Sequence, residues 1–169
     1  GEYSTGRKGL PLLIEALKGE PLALIVVKGP GPRARVEADL ARRGMAQRVM
    51  FIEPGLGVAS VMAAADVVVV PSTYEPFSLV ALEAISSGRP LVISSRAGAT
   101  ELVSSVAKVV DPLDTEALRT AIMEVKNHPP DRMLIEEGIA IAERNSWTTV
   151  GERSVDVIER LASEHRVGR

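Results

Sequence analysis

The sequence lacks cysteine, has few aromatic residues and is nearly balanced in charge, and each of these features excludes a class of protein. Without a thiol there is no disulfide, thiolate metal site or cysteine nucleophile. With 20 basic and 22 acidic residues, the formal charge of −2 gives no electrostatic basis for binding nucleic acid or an anionic membrane. No apolar run approaches the roughly 20 residues that cross a bilayer, and none follows the first charges as in a signal peptide. We therefore expect a cytoplasmic protein.

The remaining composition is typical of a globular domain. The chain has 169 residues, of which 46% are hydrophobic, so it can bury a sizeable core. With one Trp, two Tyr and two Phe, that core must consist mainly of Val, Ile, Leu and Ala. Such residues suit strands that are buried on both faces between layers of helices. We predict a single α/β domain over residues 1–169.

Short apolar runs alternate with helical patterns along the chain. The runs predict strands at 22–27, 48–52, 66–70, 91–93 and 108–110. The helical patterns cover 10–18, 33–43, 58–64, 78–87, 99–104, 115–126, 132–144 and a long segment from Trp147, with Asp114 as a predicted N-cap. This alternation predicts a doubly wound parallel sheet with helices on both faces and a helical C-terminal tail covering one side.

The loop and helix after the third predicted strand carry the strongest functional pattern. In a doubly wound sheet, ligands bind beyond the carboxyl ends of the strands. Glu75 lies in this loop, and Glu83 follows eight residues later in the helix. If the helix begins near Ser78, the amides of its first turn favour an anion such as phosphate. Two carboxylates that accept hydrogen bonds from hydroxyl groups, beside a phosphate site, indicate a nucleotide-sugar ligand. Alternatively, both glutamates are ordinary surface side chains.

The same segment resembles a known family. Residues 75–83, Glu-Pro-Phe-Ser-Leu-Val-Ala-Leu-Glu, resemble the E-x7-E signature of the group 1 retaining glycosyltransferases of GT-B fold, the glycogen-synthase-like and mannosyltransferase-like set. Other family motifs are matched in order by Arg7-Lys8-Gly9, Gly29-Pro-Gly31-Pro32, residues 64–72, Ser95-Arg-Ala-Gly98-Ala-Thr-Glu101 and Asn145-Ser-Trp147. The resemblance implies the Rossmann-like C-terminal half of such an enzyme, which binds the nucleotide-sugar donor.

The resemblance also implies a role for individual residues. Lys8 is expected to hold the donor diphosphate and stabilise it as the leaving group, and Glu75 to contact hydroxyls of the donor sugar. Glu83 is expected to bind the ribose hydroxyls. No metal site and no further cofactor are implied. The substrate-binding positions that match the family are Arg7, Gly29, Ser78, Leu79, Val80, Glu83 and Gly98.

Three positions depart from the family pattern. Ser78 and Ala97 stand where glycine is usual, and Glu2 stands where a phosphate-binding arginine is expected, a charge that Arg7 could replace. The changes at positions 2 and 97 motivate an alternative, a non-catalytic nucleotide-sugar-binding or scaffold domain. A further alternative is an NAD-dependent oxidoreductase, suggested by the Gly29-Pro-Gly31 turn but disfavoured by its prolines and by the missing third glycine.

The family has two parts for which this sequence shows no counterpart. One is an N-terminal domain that binds the acceptor, and the other is a central strand that leads into the lysine turn. We therefore expect a fragment of a longer enzyme that is inactive in transfer alone. Residues 2–5 or a segment of a partner chain would then fill the central position of the sheet. The expected partners are a nucleoside diphosphate sugar and the N-terminal domain, with no nucleic acid and no membrane segment.

Overall fold

The computed structural model describes residues 6–21, 23–29, 31, 33–52, 55 and 57–167. Parallel strands alternate with helices, and the predicted α/β class is confirmed. The strands are β1 (Ile25–Lys28), β2 (Val49–Ile52), β3 (Val68–Val70), β4 (Leu91–Ser94) and β5 (Lys108–Val110). The helices are α1 (Leu10–Leu17), α2 (Arg33–Arg42), α3 (Val58–Ala64), α4 (Leu79–Ser86), α5 (Thr100–Val103), α6 (Thr115–Asn127), α7 (Arg132–Arg144) and α8 (Trp147–Val167), with 3-10 turns at Gly6–Lys8 and Ala46–Arg48.

Within the described residues, the strands form two hydrogen-bonded groups. β1 pairs with β2, with Ile25 opposite Val49. β4 lies between β3 and β5, with Val69 opposite Val92 in the first pairing. Among the described residues, β1 is not hydrogen-bonded to β3. The predicted occupants of a central position, residues 2–5, lie outside the described residues, as does Glu2, so those expectations stay predictions.

Alternating side chains of β4 divide the core into two clusters. Val92 belongs to the cluster formed with α1, α2 and α6, whereas Leu91 and Ile93 belong to the cluster formed with α4, α5 and α7. All three side chains are at most 1% exposed. Because successive residues of a strand point to opposite faces, the two helix groups cover opposite faces of this sheet. Helices on both faces, the mark of a doubly wound arrangement, are thus confirmed.

Arg48 connects the end of α1 to the start of β2. Its guanidinium Nη1 donates to the Lys18 carbonyl at 2.9 Å, and Nε donates to the Ala23 carbonyl at 3.3 Å. Nη2 donates to the carbonyls of Leu17 and Glu20. The last carbonyls of a helix have no partner within it, and Arg48 supplies a charged donor to those of Leu17 and Lys18. Residue 48 was predicted within the strand, but it ends the preceding 3-10 turn, from which its side chain reaches back to α1.

The C-terminal tail is helical as predicted, but its three helices differ in how they pack. α6 and α7 pack onto the domain, through α1 and α4 respectively, but the long last helix leaves apolar side chains in solvent. Trp147 is 78% exposed, and Ile158 and Leu161 are more than half exposed. The tail was expected to cover one side of the sheet, but α6 and α7 pack into clusters on opposite faces, and no described residue of α8 belongs to either cluster. None of the described helices is both long enough and apolar enough to cross a membrane.

Candidate functional site

Three segments meet beyond the carboxyl ends of β3 and β4. We call them the lysine turn (residues 6–9), the glutamate loop (residues 71–78, after β3) and the β4 loop (residues 95–99). This is the edge of the sheet where a doubly wound fold places its ligand. Two of the three segments also hold the predicted catalytic residues, Lys8 in the lysine turn and Glu75 in the glutamate loop.

Backbone groups join the lysine turn to the glutamate loop. The N–H of Thr73 donates to the Arg7 carbonyl at 2.8 Å, and its hydroxyl reaches the same oxygen at 3.4 Å. Gly9 has a φ of 73°, and a Cβ at this position would lie 1.9 Å from the carbonyl oxygen of Pro71. The two backbones are therefore in direct contact, and only glycine fits at position 9. This contact fixes the backbone position of the neighbouring Lys8.

The glutamate loop is also held by the β4 loop. The Glu75 N–H donates to the Arg96 carbonyl at 3.2 Å, and the Gly98 N–H donates to the Glu75 carbonyl at 3.0 Å, which makes a parallel bridge. A Cβ on Gly98 would lie 2.2 Å from the Pro76 carbonyl oxygen. Ala97, where the family has glycine, is 4% exposed and lies within the α4–α7 cluster, so the core accommodates its methyl group. The lack of a side chain at Gly98 thus allows the β4 loop to contact the glutamate loop.

Lys8 and Glu75 form an ion pair between the lysine turn and the glutamate loop. The Lys8 Nζ donates to Glu75 Oε2, and the two side chains are 23% and 16% exposed. Charges that are largely withdrawn from solvent are screened less by salt than surface charges are. The site therefore offers an ammonium group suited to phosphate oxygens and a carboxylate suited to hydroxyl groups.

The N-terminus of α4 lies directly after the glutamate loop. Ser78 is its N-cap, and Leu79 and Val80 begin the first turn, whose N–H groups lack partners within the helix. Glu83 lies one turn after Leu79 and is exposed, as is the Leu79 side chain at 48%. Residues four positions apart share a helix face, so Glu83 lies on the same face of α4 as Leu79 in the first turn.

Ser78 has a backbone conformation that residues with a Cβ rarely adopt. Its φ is 99°, and no other non-glycine residue in the described ranges has a positive φ. This accounts for the glycine that the family pattern places here, since a Cβ is strained in this conformation.

We expect Ser78→Gly to raise the free energy of unfolding by about 1 kcal/mol, because it relieves this strain. The measurement is chemical denaturation of both proteins. Ser104→Gly is the matched control: Ser104 has an ordinary φ of −61°, so its replacement should lower stability. A loss of stability in Ser78→Gly would contradict the strain argument.

The other predicted positions are less closely joined to this pair. Arg7 contributes its carbonyl to the Thr73 contact, while its guanidinium extends from the exposed turn. Gly29 follows β1 in the other sheet. Sequence reasoning missed Thr73 and Arg96, because both act through main-chain atoms that leave no residue-type signal. The Arg96 side chain instead pairs with Asp111, at 3.4 Å, across the ends of β4 and β5. In the described part of the chain, no three acidic or histidine side chains gather as a metal site.

Known proteins share this sequence and architecture. The family described as "Glycosyl transferases group 1" matches residues 1–128, which extend to the end of α6. An uncharacterized glycosyltransferase from Methanocaldococcus jannaschii is 30% identical over 163 residues, covering 90% of this chain. Sucrose-phosphate synthase from Thermosynechococcus elongatus superposes with a TM-score of 0.82 over 94% of the chain at 28% identity. HepE from Anabaena, solved in complex with UDP, gives a TM-score of 0.82 over 95% of the chain at 25% identity.

The chain spans less than half of the length of each of these proteins. It covers 42% of the archaeal glycosyltransferase, 43% of the synthase and 48% of HepE. This coverage agrees with the architecture, since a GT-B glycosyltransferase consists of two Rossmann-like halves and the present fold corresponds to its C-terminal half. The sequence match over most of the chain and the shared fold lead to one conclusion: the chain belongs to the group 1 glycosyltransferases.

Proposed function

We propose that this chain is the donor-binding domain of a retaining glycosyltransferase that transfers a sugar from a nucleoside diphosphate sugar to an acceptor. The observation that carries the proposal is the pairing of Lys8 with Glu75 beside the N-terminus of α4. A cation and helix amides suit a diphosphate, and a carboxylate beside them suits sugar hydroxyls. The complex of HepE with UDP supports a nucleotide ligand in a protein of the same fold.

In this proposal each residue of the site binds a different part of the donor. The Lys8 ammonium and the amides of the first turn of α4 stabilise the negative charge that develops on the departing diphosphate. The Glu75 carboxylate accepts hydrogen bonds from the donor sugar and holds its reacting carbon toward the acceptor. Glu83 accepts hydrogen bonds from the two ribose hydroxyls. Arg7 adds positive charge beside the phosphates.

The acceptor site is proposed to lie in a part of the enzyme outside residues 1–169. The relatives are more than twice as long as their matched segment, which leaves room for a second domain. The chain alone is then expected to bind donor but not to transfer sugar. The cytoplasmic location expected from the sequence stays a prediction.

We expect Glu83→Ala to weaken the binding of a nucleoside diphosphate without unfolding the domain. Hydrogen bonds from a ribose diol to one carboxylate are worth roughly 1.5–3 kcal/mol, which corresponds to at least a tenfold rise in Kd. The measurement is calorimetric titration of wild type and variant with UDP and GDP. Glu159→Ala removes the same side chain from exposed α8 and should leave Kd unchanged.

The titration also separates the proposed function from its alternatives. An unchanged Kd in Glu83→Ala would exclude the ribose role. Binding of NAD in preference to both nucleoside diphosphates would favour the oxidoreductase. A transfer assay with the N-terminal domain supplied distinguishes an enzyme from a non-catalytic binding domain, since both would bind the donor.

A further inference from the structure

The positive and negative groups of the site are paired with each other. Lys8 and Glu75 are paired although their positions are 67 residues apart in the chain. A phosphate that approaches Lys8 must therefore either displace the Glu75 carboxylate or lie beside it. This competition has a consequence for which ligands the site accepts.

Main-chain contacts prevent the two residues from moving apart as whole segments. The Thr73 N–H to Arg7 carbonyl bond and the Gly9–Pro71 contact hold the lysine turn against the glutamate loop. The bridge between Glu75 and Ala97 holds the glutamate loop from the other side. Only the Lys8 and Glu75 side chains are thus free to rearrange, and their charges stay within reach of each other when a ligand enters.

A bare diphosphate and a sugar-bearing one differ in what they offer to Glu75. A carboxylate can only accept hydrogen bonds, and a bare diphosphate presents further acceptor oxygens and negative charge. The repulsion is appreciable because Glu75 is only 16% exposed and poorly screened. A sugar, in contrast, presents hydroxyl donors that can replace the ammonium as partners of the carboxylate.

Resting on the proposed function, we infer that Glu75 is a specificity-determining residue that admits a nucleoside diphosphate sugar and disfavours the bare diphosphate. In the structure Glu75 binds Lys8. When donor enters, Lys8 turns to the phosphates and Glu75 turns to the sugar hydroxyls, so that neither charge loses a partner. A bare diphosphate takes Lys8 and leaves Glu75 without a partner. The same residue thereby favours release of the nucleoside diphosphate once its sugar has left.

The test compares Glu75→Gln with wild type for binding of three probes: inorganic pyrophosphate, the pair UDP and GDP, and the pair UDP-glucose and GDP-mannose. Glutamine keeps the main-chain bridge and the shape of the side chain but removes the negative charge. We expect the variant to bind pyrophosphate and the bare nucleotides about three- to tenfold tighter, because their phosphates no longer meet a neighbouring negative charge. Binding of the preferred sugar nucleotide should weaken. The preference for the sugar nucleotide over the bare nucleotide should therefore fall for two reasons, weaker binding of the first and tighter binding of the second.

Two controls separate this effect from a change in net charge or in folding. Glu152→Gln removes one negative charge from exposed α8 and should leave all three affinities unchanged. Glu75→Asp keeps the charge on a shorter side chain, and it should keep discrimination against pyrophosphate while losing affinity for the sugar nucleotide. A damaged fold would weaken every ligand, whereas the inference requires opposite changes for two ligand classes.

The outcomes for the inference and for the proposed function are distinct. If wild type binds a sugar nucleotide but Glu75→Gln binds pyrophosphate and the bare nucleotide no tighter, the specificity role of Glu75 is wrong and the proposed function stands. If wild type binds none of the nucleotides, the proposed function and the inference are both wrong.

Discussion

Gly9→Ala is expected to lower the free energy of unfolding by about 3–5 kcal/mol, since a Cβ must both adopt an unfavourable φ and displace a neighbouring backbone. The added carbon would lie 1.9 Å from the Pro71 carbonyl oxygen and 2.6 Å from its carbonyl carbon. Neither is the end of a flexible side chain, so the lysine turn and the glutamate loop must separate. Because that separation also moves Lys8 from Glu75, nucleotide binding should fall with stability. Chemical denaturation and calorimetric titration measure the two effects.

Two other glycines separate the causes. Gly44 has a φ of 68°, but a Cβ there would have no described atom within 4 Å, so Gly44→Ala should cost only about 1 kcal/mol. Gly98 has the close contact without the unusual φ, and Gly98→Ala should therefore fall between the two. A Gly9→Ala protein no less stable than Gly44→Ala would show that the two segments separate at no cost, contrary to a tightly joined site.

Arg48→Met is expected to lower the free energy of unfolding by about 2–4 kcal/mol, because carbonyl groups around the end of α1 lose a charged donor. The affected acceptors are those of Leu17, Lys18, Glu20 and Ala23. Methionine retains much of the apolar stem, so the loss reports mainly on the hydrogen bonds. Thermal and chemical denaturation are the measurements.

The control for this prediction is Arg42→Met on α2. Its guanidinium pairs with Asp39 at 2.9 Å, but the Arg42 side chain is 72% exposed, so the change should be below about 0.5 kcal/mol. Arg48→Lys should recover part of the loss, because an ammonium carries charge but lacks the planar fork that reaches several carbonyls. Equal stabilities of Arg48→Met and Arg42→Met would mean that the carbonyl contacts contribute nothing.

The elements of the fold were largely predictable, whereas the ends of some strands were not. α3, α7 and β5 begin and end where predicted, and the Asp114 carboxylate accepts from the Ala117 N–H at 2.9 Å as an N-cap should. Within the apolar run at 22–27, however, the described residues Ala23 and Leu24 precede β1, which begins at Ile25 opposite the first residue of β2. An apolar pattern indicates a strand, but its length depends on where its partner begins, and Leu24 and Val26 of this run are exposed.

The site was predictable in its residues but not in its contacts. The pattern placed Glu75 at the carboxyl end of a strand, and the family resemblance placed Lys8 beside the diphosphate. Neither predicted that the two side chains bind each other, because such a contact depends on how distant segments pack. The role of Gly9 was missed for the same reason, since its neighbour Pro71 lies far along the chain.

The glutamate loop is held largely by main-chain atoms, and this makes its position tolerant of sequence change. Besides the Lys8–Glu75 ion pair and the Thr73 hydroxyl, its described bonds to the lysine turn and the β4 loop use the N–H of Thr73 and the N–H and carbonyl of Glu75, and the Phe77 carbonyl accepts from the Ala99 N–H at 2.7 Å. Nineteen of the twenty amino acids carry such an N–H, and proline alone would break the frame at positions 73 and 75. The position of the loop therefore does not depend on exposed side chains such as Tyr74, whose replacement should leave the loop in place.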